Sequence, residues 1–325
     1  MDATGLSNFK GRAKPNFAKK AGVDLEMIYV ASPNFSDKAS EEKDKFKYII
    51  IHHTATSRMQ DEDGNFVSLK VLTDPNSQNP VSAHYLILRE INGESKIVIL
   101  VDDDKKAWHA GVSKWLHDNN LNNYSIGIEI NNDGITELFS DAQMASLVAL
   151  LSCLKKVYEI NPFNILGHAE IAPNRKIDPS DYFDWKILAD YGIAYFPFNE
   201  GNSNILCKIG DQGKIVENIQ NLLQLWGYRY FDVDGVFDER TKLVIESFQR
   251  KYAPYEYRND ELRGCWTHND DVKMQELLTA RKDYYNGDLK IEVNFEKIKN
   301  NPMNEFFHPH EEILIAMNIN IHDEL

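Results

Sequence analysis

The sequence predicts an α/β domain, a mixed central sheet flanked by helices, followed by a small three-helix all-α module. Three observations carry this: short apolar runs bounded by polar or turn residues, one long amphipathic helix among them, and a second set of helical periods behind a polar linker.

Residues 1–45 are polar and mixed, with Pro15, Pro33 and the charge run Glu41-Glu42-Lys43-Asp44-Lys45, and read as a leader without chemistry of its own. A domain over 46–198 follows. Its strand candidates are 48–51, 85–88, 97–101 and 126–130. After them Ser140 and Gln143 have the spacing of a capping box. Met144, Leu147, Leu151, Leu154 and Tyr158 then recur at three and four, which places one apolar face on a helix. Residues 199–206 are polar and Gly-bearing, a linker.

The module over 207–283 shows helical spacing at Ile215, Ile219, Leu222 and Trp226, at Val244, Phe248 and Tyr252, and at Met274, Leu277 and Leu278. Between the first two helices lies Asp234-Gly235, a pair suited to positive φ. This region is expected to fold separately and to contribute binding, with a structural cap as the other reading. Residues 284–325 form a tail in which His308-Pro309-His310 reads as solvated rather than metal-bound.

At 325 residues, 42% hydrophobic and 26% charged, the chain can bury real cores. Its formal net charge of −14 excludes a phosphate backbone as partner, because nucleic-acid affinity rests on Lys and Arg displacing counterions. No stretch approaches the roughly 20 apolar residues of a membrane span. Cys153, Cys207 and Cys265 are odd in number and far apart, so buried thiols are expected rather than disulfides. No export signal is visible, which sets cytoplasmic localisation as the expectation, with the periplasm or cell envelope by an unrecognised route as alternative. The terminal His322-Asp323-Glu324-Leu325 spells an endoplasmic-reticulum retention address, read as coincidence without an entry signal.

The chemistry concentrates at strand ends. His52 ends the run 48–51, with His53 turned to the opposite face. His168 ends a second run, Ile165-Leu166-Gly167, and Asp178 follows in Arg175-Lys176-Ile177-Asp178-Pro179. Two imidazoles and a carboxylate, with a fourth position open, are the donor set of catalytic zinc, although a strand-end histidine is more often structural.

Five blocks in order change that balance: Ile51-His52-His53-Thr54-Ala55, Ser82-Ala83-His84-Tyr85, Ala107-Trp108-His109-Ala110-Gly111, Ser125-Ile126-Gly127-Ile128-Glu129, and the segment from Gly167 through Pro179. Over roughly 46–197 the chain resembles the AmpD- and AmiD-type zinc amidases, relatives of the peptidoglycan recognition proteins. The resemblance implies hydrolysis of the amide joining N-acetylmuramic acid to L-alanine, with peptidoglycan or muropeptides as partner. It implies one Zn2+ on His52, His168 and Asp178, lowering the pKa of its bound water and polarising the carbonyl. Glu129 would be the general base and Lys176 the oxyanion donor. His84, Trp108 and His109 would line the cleft, and His53, Asn174 and Arg175 would hold stem-peptide carboxylates.

Related phage lysozymes and recognition proteins typically carry Tyr and Cys where this chain has Ala83 and Asp178, which sets it on the AmpD side. The region from Ile209 to Arg250 resembles the three-helix peptidoglycan-binding module, with Asp238 departing from the usual Gly. Such a module raises effective substrate concentration. Two other readings are a non-catalytic peptidoglycan receptor, expected to have lost a zinc ligand, and an endoprotease. Whether intact wall or a soluble 1,6-anhydro product is the substrate stays open, because the missing signal and the binding module point in opposite directions.

Overall fold

The computed structural model describes residues 27–38, 45–56, 66–90 and 95–294. In chain order they form β1 (Met27–Tyr29), β2 (Phe35–Asp37), β3 (Tyr48–His53), α1 (Val67–Thr73), β4 (Tyr85–Ile87), β5 (Ile97–Ile99), β6 (Lys105–Ala107), β7 (Lys114–Trp115), β8 (Asp118–Asn119), β9 (Ser125–Ile130), α2 (Asp141–Tyr158), β10 (Ile165–Gly167), α3 (His168–Ile171), α4 (Trp185–Asp190), β11 (Ile205–Cys207), α5 (Lys214–Trp226), α6 (Glu239–Tyr252), α7 (Pro254–Arg258), β12 (Trp266–Thr267) and α8 (His268–Asn286).

A six-stranded sheet runs in the order β1-β5-β4-β9-β3-β10. β3 is parallel to both β9 and β10, whereas β4 and β5 are antiparallel, so the sheet is mixed as expected. Both faces are covered, which is why β3 reads as a continuous apolar run instead of alternating. One face sends Ile49, Ile51, Ile126 and Ile128 into the main core with Leu147, Leu151 and Leu154 of α2. The other carries Leu86 and Val98 against Leu69 and Leu72 of α1 at one end. Further along that face stand His52 and Glu129. The capping box opens α2: Gln143 N–H donates to Ser140 Oγ and Ser140 N–H to Gln143 Oε1, each at 3.2 Å.

Three boundaries differ from the sequence reading. The sheet starts inside the supposed leader, because β1 pairs in parallel with β5 and β2 pairs with β6. Three-residue strands carry too little alternation to stand out beside charged neighbours. The supposed linker is tied down: Asn199 N–H donates to Glu276 Oε2 at 2.7 Å, Gly201 N–H to Asn269 Oδ1 at 2.9 Å, and β11 then pairs with β12. The start of the tail returns to the first domain, where Asn294 N–H reaches Tyr191 O at 2.9 Å. His308, His310, the terminal tetrapeptide and most of the leader lie outside the described residues.

The helical module shares its core with the sheet domain: Val216, Trp226, Phe248 and Trp266 belong to the same buried cluster as Ile49 and Leu166. Gly227, at φ +151°, lies over Trp115, whose ring would be 2.5 Å from any Cβ there, so only glycine admits this contact. Polar ties follow the same seam. Ser247 Oγ donates to Ala169 O at 2.8 Å and Tyr230 OH to Ile171 O at 2.7 Å. Among the described residues no helix is long and apolar enough to cross a membrane. The cysteines are free, with Cys265 half-buried rather than buried.

Candidate active site

Strand register assembles the site. His52 is the in-register partner of Glu129 on β9, so the two side chains share a face. Gly167 partners Ile51, which places the next residue, His168, beside His52 where β10 turns into α3. Asp178 is brought back to the same point by a main-chain bond, Ala169 N–H to Asp178 O at 2.8 Å.

The three side chains are buried and converge. His52 Nδ1 lies 2.9 Å from His168 Nδ1 and 2.9 Å from Asp178 Oδ2, and His168 Nδ1 lies 3.0 Å from Asp178 Oδ2. Among the described residues this is the group that could hold a metal ion. On the outer side of His168, Nε2 faces Ala110 O at 3.1 Å. A carbonyl only accepts, and the other neighbour of this nitrogen, the donor Arg175 Nη2, is farther away at 3.4 Å and already donates to Ala110 O, so Nε2 carries the proton and Nδ1 turns a lone pair inward. Three electron-rich atoms packed this closely suit a cation, and two nitrogens with one carboxylate oxygen match zinc.

The electrostatics agree. Burial and the neighbouring His168 push the His52 imidazolium down to about 4, which keeps that ring neutral and able to ligate. Burial works to raise the Asp178 carboxyl, but His168 and His52 outweigh it and hold it well below the usual range. Glu129 behaves oppositely: burial, then the charge of Asp178, push it up to about 8 against the pull of Lys176. Its Oε2 is buried without a hydrogen-bond partner. A half-buried lysine, Lys176, thus sits close enough to act on Glu129, His52 and His53.

The other expected cleft residues separate. His84 is fully buried, its Nδ1 accepting from Gly127 N–H at 3.0 Å and its Nε2 at 3.2 Å from Lys105 O, so it braces the sheet and has no nitrogen left for a ligand. His109 is likewise buried and committed, Nδ1 to His52 Nε2 at 3.0 Å and Nε2 to Ser125 Oγ at 3.2 Å. Both expectations of substrate contact are therefore corrected: neighbours inside the fold occupy these rings. Arg175 is redirected too, its guanidinium donating to the carbonyls of Ala110 and Val112 and so tying down that loop.

Trp108 is half-buried, its indole N–H donating to Ser36 Oγ at 2.8 Å. His53 Nδ1 accepts from Ser180 N–H at 3.3 Å, and Asn174 is exposed beside Arg175. The sequence reading missed Ser125 and the carbonyl of Ala110. The signal for Ser125 was its place two residues before Gly127, on the same face of the strand as the site.

A family model described as N-acetylmuramoyl-L-alanine amidase matches residues 42–181, and a peptidoglycan-binding domain model matches 212–254. N-acetylmuramoyl-L-alanine amidase AmiD of Escherichia coli is 34% identical over 256 residues, 75% of this chain and 85% of that protein. The 1,6-anhydro-N-acetylmuramyl-L-alanine amidase AmpD of the same organism is 44% identical over 105 residues, 32% of this chain and 55% of that protein. The structure of Escherichia coli AmiD in complex with anhydro-N-acetylmuramic acid-L-Ala-D-γ-Glu-L-Lys superposes with a TM-score of 0.59 at 31% identity, covering 74% of this chain and 92% of that one. AmpDh3 of Pseudomonas aeruginosa shares the fold, with a TM-score of 0.56 at 24% identity over 78% of this chain and 98% of that one.

Proposed function

The chain belongs to the N-acetylmuramoyl-L-alanine amidase family and hydrolyses the amide between the lactyl group of N-acetylmuramic acid and the L-alanine of the stem peptide, and from that premise we propose that it does so with one Zn2+ held by His52, His168 and Asp178. The observation that carries this reading is the convergence of two imidazole nitrogens and a carboxylate oxygen within 3.0 Å of one another, buried at the ends of two parallel strands. When bound, Zn2+ supplies a Lewis acid that acidifies water and polarises the carbonyl, and its charge draws Glu129 back towards the ionised form.

Glu129 then accepts a proton from the attacking water as the new C–O bond forms, and delivers it to the nitrogen of L-alanine as the C–N bond breaks. Glu129 is half-buried, across the strand pair from His52, and its Oε2 is shielded from bulk water, which holds the carboxylate beside the ligand group. Lys176 Nζ donates to the carbonyl oxygen while negative charge accumulates there. Trp108, with its indole N–H fixed by Ser36, offers an aromatic wall for the sugar or peptide, and Asn174 is the exposed amide nearest the tied-down Arg175.

We take 1,6-anhydro-muropeptides to be substrates, on the strength of the anhydro-muramyl peptide held by Escherichia coli AmiD. The module similar to a peptidoglycan-binding domain supports contact with polymer as well. Mass spectrometry of products from purified sacculi and from anhydro-muropeptides, run side by side, tests this. Peptides beginning with L-alanine are expected from both. Anhydro-muropeptides left uncut by enzyme that cleaves sacculi would overturn the assignment.

A further inference from the structure

We infer that His109 and Ser125 are positioning residues that set the protonation form of His52, so that its Nδ1 is delivered bare to the metal. The inference rests on the reading of His52 as a zinc ligand. It starts at the far end of a chain of hydrogen bonds. Ser125 Oγ lies 2.6 Å from Leu121 O, and because a carbonyl only accepts, the single hydroxyl proton of Ser125 is spent there. The 3.2 Å contact between Ser125 Oγ and His109 Nε2 can then be made only by His109 donating N–H. In a neutral imidazole one nitrogen carries the proton, so His109 Nδ1 holds a lone pair.

That lone pair meets His52 Nε2 at 3.0 Å, and His52 must donate. The remaining nitrogen of His52, Nδ1, is left bare, facing His168 Nδ1 and Asp178 Oδ2. His168 reaches the same state through the carbonyl of Ala110. Two different anchors thus arm the two imidazoles, one a backbone oxygen and the other a relay of two side chains ending on a backbone oxygen. Metal-ligating histidines are generally held by a partner on the second nitrogen, which fixes tautomer and ring orientation.

The strand is built around this ring. Gly127, between Ser125 and Glu129 on the site-facing side of β9, lies directly under His109: a Cβ there would come within 2.3 Å of the imidazole. Glycine at this place gives the ring its seat, whereas a strand interior ordinarily disfavours it. His109, unlike Arg175 or Trp108, is buried, and both of its ring nitrogens are taken by neighbours inside the fold.

Two measurements on the full-length protein test the inference. Nitrogen-15 NMR of the histidine rings, in metal-free and zinc-loaded protein, is expected to show His109 with its proton on Nε2 and Nδ1 bare; a proton on Nδ1 would overturn it without any mutation. Zinc affinity by competition with a chromogenic chelator is expected to fall about 10- to 100-fold in His109→Leu, which offers His52 no acceptor. His109→Asn should recover most of that loss, because its side-chain oxygen can take the place of Nδ1. Parent-like affinity in a folded His109→Leu, or no difference between the Leu and Asn variants, would also overturn it. Zinc binding by the parent itself checks the ligand reading separately.

Discussion

Glu129 separates the two halves of the site chemistry, because it shares the face of His52 and yet is not among the converging ligand atoms. Glu129→Gln keeps size and hydrogen bonding but removes the proton acceptor. Turnover of muropeptides should fall about 10² to 10⁴-fold with zinc content unchanged. Parent-rate turnover by a zinc-loaded variant would end its assignment as base. Lys176→Met is expected to lose about 10² to 10³-fold in kcat with KM nearly unmoved, since the missing contact belongs to the transition state. A rise in KM alone would place Lys176 in ground-state binding instead. The convergence of His52, His168 and Asp178 was legible in the sequence, because the two histidines end short apolar runs and Asp178 lies in a motif of fixed spacing, whereas the roles of Glu129 and Lys176 rest on the family resemblance and are proposals. His84 and His109 were misread because a motif preserves a residue's presence and not the direction its ring faces; both are consumed by partners far away in sequence.

At the scale of elements, α3 and α6 are joined by a buried pair. Lys251 Nζ donates to Glu170 Oε2 at 2.8 Å and to Ile165 O at 2.9 Å, and Glu170 Oε2 also accepts from Gly167 N–H at 2.7 Å. Both side chains are almost fully buried, so Lys251→Met strands a carboxylate two residues from His168. A loss of about 3 kcal/mol in unfolding free energy is expected, read from the urea midpoint, with partial recovery in the Lys251→Met, Glu170→Gln double variant. An unmoved midpoint in the single variant would show the pair to be dispensable.

A second element-scale device caps α8. Asp270 Oδ2 accepts from Thr267 N–H, Thr267 Oγ–H and Gln249 Nε2–H, and burial pushes its carboxyl from 3.8 up to about 7. The folded-state value is raised, so the folded chain holds a proton that the unfolded chain releases between about 4 and about 7. Stability should therefore fall as pH rises through that window, by up to about 1.4 kcal/mol per pH unit from this one group, and level off above it. Asp270→Asn should flatten that slope, and an unchanged slope would exclude the residue as its source. The long helices were easier to read than β1 and β2, since the capping spacing of Ser140 and Gln143 marks where α2 begins and its period repeats over many residues, whereas the short α1, α3, α4 and α7 were missed for want of such a period. β1 and β2, three residues apiece, acquire their strand character only from partners 70 residues away.

On the whole-molecule scale, the seam between sheet and helices decides how the chain must be handled. Trp115 under Gly227, Ser247 on Ala169 and Lys251 on Glu170 place the module against the element that carries His168. A chain ending at residue 198 is thus expected to be insoluble, or to lose cooperative unfolding and zinc affinity together, because Leu166, Phe163 and Trp115 lose their cover. A soluble truncated protein with the parent's zinc affinity would show the module to be an independent attachment. The order of a sheet region followed by a helical region was legible from periodicity. The shared core was not, because apolar residues at helical spacing announce a buried face without naming what buries it.

The zinc site itself is tested most directly by X-ray diffraction from crystals of the full-length protein on either side of the zinc absorption edge. One anomalous peak per chain is expected among His52 Nδ1, His168 Nδ1 and Asp178 Oδ2. Active protein whose crystals show no zinc peak there, or show it at other residues, would contradict the account.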